Sequence, residues 1–237
     1  MPIRAILFDK DGTLVDFHLT WSAAAYAAMQ RLSGGDPEKM ARLVEINDYD
    51  LASHRILPHS VLVAESSADY GVAWAEVLGE VADTAFFEQM DRIFIEEGLK
   101  HVTPIGDPPW LLSTLKSRGY LLGICTNDSE AGARAHCEKL GLMPWLDAVL
   151  GYDSGHGRKP EPGPVLGFAQ AFGVAPQEIA LVGDSTHDLH AVKAAGGTAI
   201  AVLSGFAKRD ELAPHADHVI ESVMDLPDLL QSLADAP

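Results

Sequence analysis

The chain has 237 residues, 47% of them hydrophobic, which suffices to bury one large core or one core with a smaller accessory domain. Its 17 basic residues against 34 acidic ones give a net charge of −17. That balance repels nucleic-acid phosphates and anionic lipid, so neither nucleic acid nor a membrane is an expected partner. Cys125 and Cys137 lack CxxC spacing, which argues against a disulfide framework or a cysteine zinc site. No leader-like N-terminus and no apolar run near the roughly 18 residues of a membrane span is present, so the expected compartment is the cytoplasm.

In chain order, residues 5–8 form a short apolar run ahead of the turn at Asp11-Gly12, the pattern of a buried parallel strand. Residues 17–98 are Ala-rich, with helix starts at Thr20, at Asp36-Pro37-Glu38 and at Pro58-His59-Ser60 and no strand between them, which predicts an all-helical insert. After His101, Asp107-Pro108-Pro109 opens a helix reaching Arg118. Strands are predicted at 120–125, 148–150, 179–182, 198–202 and 218–220, with helices at 129–140, 164–172 and 186–195 between them. The tail at 233–237 is expected to fray. This alternation predicts a doubly wound, Rossmann-like α/β parallel sheet covered on both faces. Because the first strand is severed from the others, residues 1–16 and 99–237 are expected to form the core domain and 17–98 an inserted helical cap domain.

Polar clusters follow the predicted strands, where open parallel sheets bind ligands. Asp9 and Asp11 sit at the end of the first strand, with Gly12 allowing a sharp exit turn. An ionised Asp9 suits attack on phosphorus, giving an aspartyl-phosphate. Asp11 suits protonation of the departing alkoxide and then deprotonation of water, its proton affinity raised by the neighbouring negative charge. A carboxylate attacking a phosphate dianion needs cations and donors around it. Asp184 with Asp9 supplies the oxygen ligands that Mg²⁺ prefers, and Asp188 is a candidate for holding a metal-bound water or anchoring a lysine. Lys159, reached through Gly157, offsets the charge of phosphate and of Asp9. Thr126 and Asn127 offer a hydroxyl, a side-chain amide and backbone N–H groups to phosphate oxygens. In the insert, His18, Trp21, His54, Arg55 and His59 are candidate substrate contacts, Arg55 foremost because a guanidinium reads a carboxylate bidentately. His187 and His190 flank Asp188 at a spacing that suits a transition metal or a solvated helix face equally. Neither GxxxxGK[ST] nor GxGxxG occurs.

The order DKDGT (9–13), ICTN (124–127), GRKP (157–160) and GDSTHD (183–188) resembles the four motifs of haloacid dehalogenase superfamily phosphatases, over a stretch from Ile3 to about Val202. The insert after the first motif resembles the helical cap of the phosphoglycolate phosphatase-like branch. The resemblance implies catalytic Asp9 and Asp11, a phosphate-binding Thr126, a functional Lys159, and Mg²⁺ held by Asp9, the Asp11 carbonyl and Asp184. It also implies a small phosphorylated metabolite as substrate, 2-phosphoglycolate first. Lys10 departs from the pattern, since many relatives carry an apolar residue there, and strand alternation points it away from Asp9. A phosphosugar mutase using the same aspartates and a phospho-accepting binding module are the rival readings. The carboxylate at Asp11 opposes a dehalogenase. A homodimer stays open.

Overall fold

Four consecutive side chains, Ala5 to Phe8, have no solvent exposure at all, and the core is built outward from them. In the computed structural model, which describes residues 2–63 and 65–235, they form strand β1 (Ala5–Phe8). The chain then runs through α1 (Phe17–Ser33), α2 (Pro37–Ile46), β2 (Tyr49–Asp50), β3 (Arg55–Ile56), α3 (Ser67–Leu78) and α4 (Thr84–His101). It continues with α5 (Pro108–Ser117), β4 (Leu121–Cys125), α6 (Glu130–Lys139), β5 (Ala148–Leu150), α7 (Gly163–Phe172) and β6 (Ile179–Gly183). The last elements are α8 (Thr186–Ala195), β7 (Thr198–Val202), α9 (Arg209–Leu212), β8 (His218–Ile220) and α10 (Leu226–Ala234). Two compact units result, Met1–Asp16 with Pro104–Pro237, and Phe17–Thr103.

In the first unit six parallel strands lie in the order β5-β4-β1-β6-β7-β8. Strand alternation divides their side chains between two cores. Ile6, Phe8, Leu122, Ile124 and Val182 meet Leu111 and Leu115 of α5 and Leu226 and Leu230 of α10 on one face. Ala5, Leu7, Ile179 and Leu181 meet Val165 and Phe168 of α7 and Leu189 and Val192 of α8 on the other. This is the doubly wound α/β sheet that the βα alternation predicts. β1 pairs with β4 on one side and β6 on the other, Phe8 lying opposite both Ile124 and Val182. The next residues of these three neighbouring strands therefore emerge along one edge of the sheet, at the point where the strand order reverses.

The second unit is not all-helical. Residues 49–50 and 55–56 pair as a short antiparallel hairpin, Tyr49 opposite Ile56 and Asp50 opposite Arg55. Its turn is closed by the Asp50 carboxylate, which accepts from Ala52 N and from the N and Oγ of Ser53, while Asp48 and His54 take left-handed φ values of 46° and 54°. Helix starts also differ from the pattern-based expectation. Asp36 does cap α2, accepting from Glu38 N and Lys39 N, but α1 begins at Phe17 rather than Thr20. No helix begins at Pro58. Ser60 instead donates its hydroxyl to Asn47 O at 2.6 Å, and α3 starts after Ser66, whose N and Oγ both donate to Asp69. α4, capped by Asp83, continues through Gly98 to His101. Of the tail expected to fray, Leu233 and Ala234 belong to α10, and residues 236 and 237 lie outside the described residues. No described helix is long and apolar enough to cross a membrane.

The insert's core gathers Trp21, Tyr70, Trp74 and Phe94, with Trp74 and Phe94 ring centroids 5.7 Å apart. Asn47 ties this core together. Its Nδ2 donates to Leu43 O, and its Oδ1 accepts from the buried indole of Trp74 at 2.9 Å. Asn47→Ala strands that indole N–H, at about 1–3 kcal/mol. The expected result is a lower urea midpoint by tryptophan fluorescence, and an unchanged midpoint would remove Asn47 from this role.

Candidate active site

Three strand ends set the frame. Asp9 follows β1 and donates its backbone N–H to Val182 O of β6, while Thr126 follows β4 and donates to Leu150 O of β5. Asp184 follows β6. The turn after Asp9 is tight, with Leu14 N and Val15 N both donating to Lys10 O and Gly12 N donating to Val15 O. Gly12 holds φ of 82°, and a Cβ there would sit 2.3 Å from Asp184 Oδ2. Glycine is thus required both by the backbone conformation and by the neighbouring carboxylate.

Asp9, Asp184 and Asp188 are all buried and offer oxygens within 4.8 Å of one another. Lys159, 4% exposed, reaches into the group, its Nζ 2.6 Å from Asp9 Oδ1 and 2.5 Å from Asp188 Oδ1. The other oxygen of Asp188 accepts from Ser185 N and Oγ. Asp188 thus contacts the lysine and also belongs to the group of carboxylates that could hold a metal ion.

Burial dominates the electrostatics. It raises Asp9 to about 7, against the opposing pull of Lys159 and with further upward pushes from Asp188 and Asp11. Asp184 is raised well above the usual carboxylate range, by burial first and then by Asp9 and Asp188. For Lys159 burial works against the charge, yet Asp188 and Asp9 outweigh it and hold the ammonium above the ordinary lysine range. When all three carboxylates are ionised, one ammonium leaves two negative charges in a buried, all-oxygen setting, a donor set that suits a hard divalent cation.

The remaining predicted residues separate by role. Thr126 is buried, and its Oγ1 accepts from Asp128 N. Asn127 is next to it, but both ends of its side-chain amide are engaged by the loop at Lys159: Nδ2 donates to Lys159 O at 2.9 Å, and Oδ1 accepts from Lys159 N at 3.0 Å. That amide therefore clamps the lysine loop. Arg55 is exposed on β3 in the second unit. Trp21, read as a substrate contact, packs in the insert's core against Phe94. His190 lies 3.2 Å from His215 rather than forming a pair with His187. Cys125 is buried, its thiol pushed up to about 12 by burial.

Two features escaped the sequence patterning. Ser204-Gly205, directly beyond β7, closes the far side of Asp184. A Cβ on Gly205 would lie 1.7 Å from Asp184 Oδ2, and Ser204 Oγ donates to Gly12 O at 2.7 Å. A small polar pair just past a strand end was the available signal. The second feature is Lys10, which is 1% exposed. Its Nζ lies 2.5 Å from Asp11 Oδ2 and 3.1 Å from Asp128 Oδ2, partners that the sequence did not reveal.

Comparison with known proteins agrees with this frame. The family model of haloacid dehalogenase-like hydrolases matches residues 3–196. A phosphoglycolate phosphatase of Chromobacterium violaceum is 33% identical over 97% of each chain. One from Rhodospirillum rubrum is 30% identical over 97% of this chain and 91% of its own. The crystal structure of a predicted phosphoglycolate phosphatase from Haemophilus somnus superposes with a TM-score of 0.71 at 21% identity, covering 96% of this chain and 97% of that one. The match runs from β1 to the end of α8 and takes in every strand end that carries a buried carboxylate, so the chain belongs to the haloacid dehalogenase-like hydrolases.

Proposed function

We propose that this hydrolase is a phosphatase acting on a small phosphate monoester through an aspartyl-phosphate on Asp9. The observation that carries the reading is the buried Asp9 carboxylate, paired with Lys159 and within 4.8 Å of two further carboxylates at the sheet edge. In the first step a carboxylate oxygen of Asp9 forms a bond to phosphorus while the bond from phosphorus to the ester oxygen breaks, and Asp11 gives that oxygen a proton. In the second, Asp11 takes a proton from water as the water oxygen bonds to phosphorus, and Asp9 departs as a carboxylate with inorganic phosphate released. Lys159 fixes Asp9 through Oδ1, and Thr126 serves the phosphoryl oxygens with its hydroxyl, whose oxygen already accepts from Asp128 N. Asn127 contributes by holding the Lys159 loop. Asp9, Asp184 and the Asp11 carbonyl are the residues that would hold Mg²⁺, which supplies positive charge against the phosphoryl oxygens and favours the ionised form of Asp9. The names of the relatives support 2-phosphoglycolate as the first substrate to test.

The test is phosphate release from a panel of monoesters. Turnover is expected with Mg²⁺, with loss in EDTA and a fall on the order of 10³-fold or more for Asp9→Asn. Equal rates for wild type and Asp9→Asn would sink the mechanism, and a phosphorylated isomer formed without free phosphate would mark a mutase instead. In the same panel, an Arg55→Ala loss confined to carboxylate-bearing esters supports Arg55 as the carboxylate-reading residue.

A second expectation concerns stability without metal. Asp9 is raised from 3.8 to about 7, so between these values the folded protein keeps a proton that the unfolded chain has lost. Stability from this group therefore falls as pH rises through that window. Added Mg²⁺ offsets the loss, so the Mg²⁺-induced rise in Tm is expected to be larger near about pH 8 than near about pH 5. Asp9→Asn should flatten that difference, and a rise independent of both pH and Asp9 would contradict it.

A further inference from the structure

The mechanism above leaves one buried charge without a task. Lys10 stands where an apolar side chain would be compatible with a strand-end position, and taking an ammonium out of water is unfavourable by several kcal/mol before its partners are counted. A methionine of similar length would fill the same volume without that penalty. What the lysine adds is geometry. An ammonium has three N–H donors, and this one makes hydrogen-bond contacts with Asp11 Oδ2 at 2.5 Å and His136 Nδ1 at 3.3 Å and an ion pair with Asp128 Oδ2 at 3.1 Å. His136 is fully buried on α6, and burial, together with the nearby Lys10 charge, pushes it down to about 3. It is therefore a neutral ring whose Nδ1 accepts. Asp128 is itself anchored, its Oδ1 accepting from Ser129 N at 2.7 Å and its N–H donating to Thr126 Oγ1 at 3.2 Å.

We propose that Lys10 is a positioning residue for Asp11: it clamps Oδ2 of that carboxylate to Asp128 and His136, so that the proton transfers of the reaction run through Oδ1 at a fixed distance from the phosphate loop at Thr126. The inference rests on the acid–base role given to Asp11 above. The chain of contacts joins the group that handles the proton to the loop that faces the phosphoryl oxygens, through the start of α6. Rotation of the Asp11 carboxyl is thereby coupled to a rigid element and not to solvent.

The consequence is selective. Proton donation matters most when the leaving alkoxide is strongly basic, and little when it is a stabilised phenolate. The value of kcat/KM covers the steps up to leaving-group departure, so it reports on that donation directly. For Lys10→Met the ratio of kcat/KM on an alkyl ester, 2-phosphoglycolate, to that on an aryl ester, p-nitrophenyl phosphate, is expected to fall about 10-fold or more. Asp11→Asn should move the same ratio in the same direction, and further.

Lys10→Met leaves Asp11 and Asp128 without their cation, so Lys10→Met/Asp128→Asn is measured beside it, with circular dichroism to check folding. If folded variants lose rate equally on both esters, or lose none, or if both variants fail to fold, Lys10 belongs to the fold alone and the inference is overturned. Asp9→Asn separates the two levels. Full Asp9 dependence with an unmoved ester ratio overturns only the role of Lys10, whereas turnover independent of Asp9 overturns the functional reading and this inference with it.

Discussion

Three carboxylates buried side by side with a single ammonium form the constraint on which the rest of this core depends. Asp9, Asp184 and Asp188 are each 8% exposed or less, and burial first, with the neighbouring carboxylates behind it, drives two of them toward their neutral forms. Such a cluster is tolerable only if the surrounding backbone leaves no slack. The glycines meet that need. At Gly12, Gly183 and Gly205 a Cβ would collide with the side chain of Asp184 or Asp188, so three separate chain segments give up side chains to let two carboxylates lie where they do.

Sheet register carries the constraint to the whole domain. Phe8 lies level with Ile124 and Val182, and a slip of one residue in β1 would send its apolar side chains to the opposite cores and shift Asp9 by a residue along the edge. The same hydrophobic pattern that stabilises the fold therefore places the chemistry. Because every side chain of β1 is buried on one face or the other, the first position where polar groups meet is the strand end, and all of the clustered carboxylates lie there or just beyond.

This explains what was legible in the sequence. The core strands could be read because fully buried parallel strands appear as short apolar runs bounded by turn residues, as at Ala5–Phe8 and Ile179–Gly183. Asp9, Lys159, Asp184 and Asp188 could be read because each follows such a run or sits on a loop between runs. What stayed hidden depends on contacts between distant segments. Ser60 has the composition of a helix start, but its hydroxyl goes to Asn47 O. The hairpin at residues 49–56 rests on one Asp50 side chain closing a turn, too short a signal for any periodicity. The hold of the Asn127 amide on the Lys159 loop joins residues far apart in sequence and has no local signal. Gly205 has no local reason to be glycine, since its constraint is the carboxylate of Asp184.

Lys10 and Lys159 together suggest why a pair of aspartates two residues apart can take different tasks. Lys10 lies past the end of β1, in the turn, and its ammonium reaches Asp11 and Asp128. Asp9 takes its cation from a different loop, through Lys159, which is shared with Asp188. Each carboxylate of the pair thus has its own positive partner, supplied from a different side and anchored to a different element. A single shared cation would couple the two, so that protonation of one altered the charge balance of the other. Separate partners allow one carboxylate to remain an anionic nucleophile while its neighbour gains and loses a proton, as the proposed reaction requires.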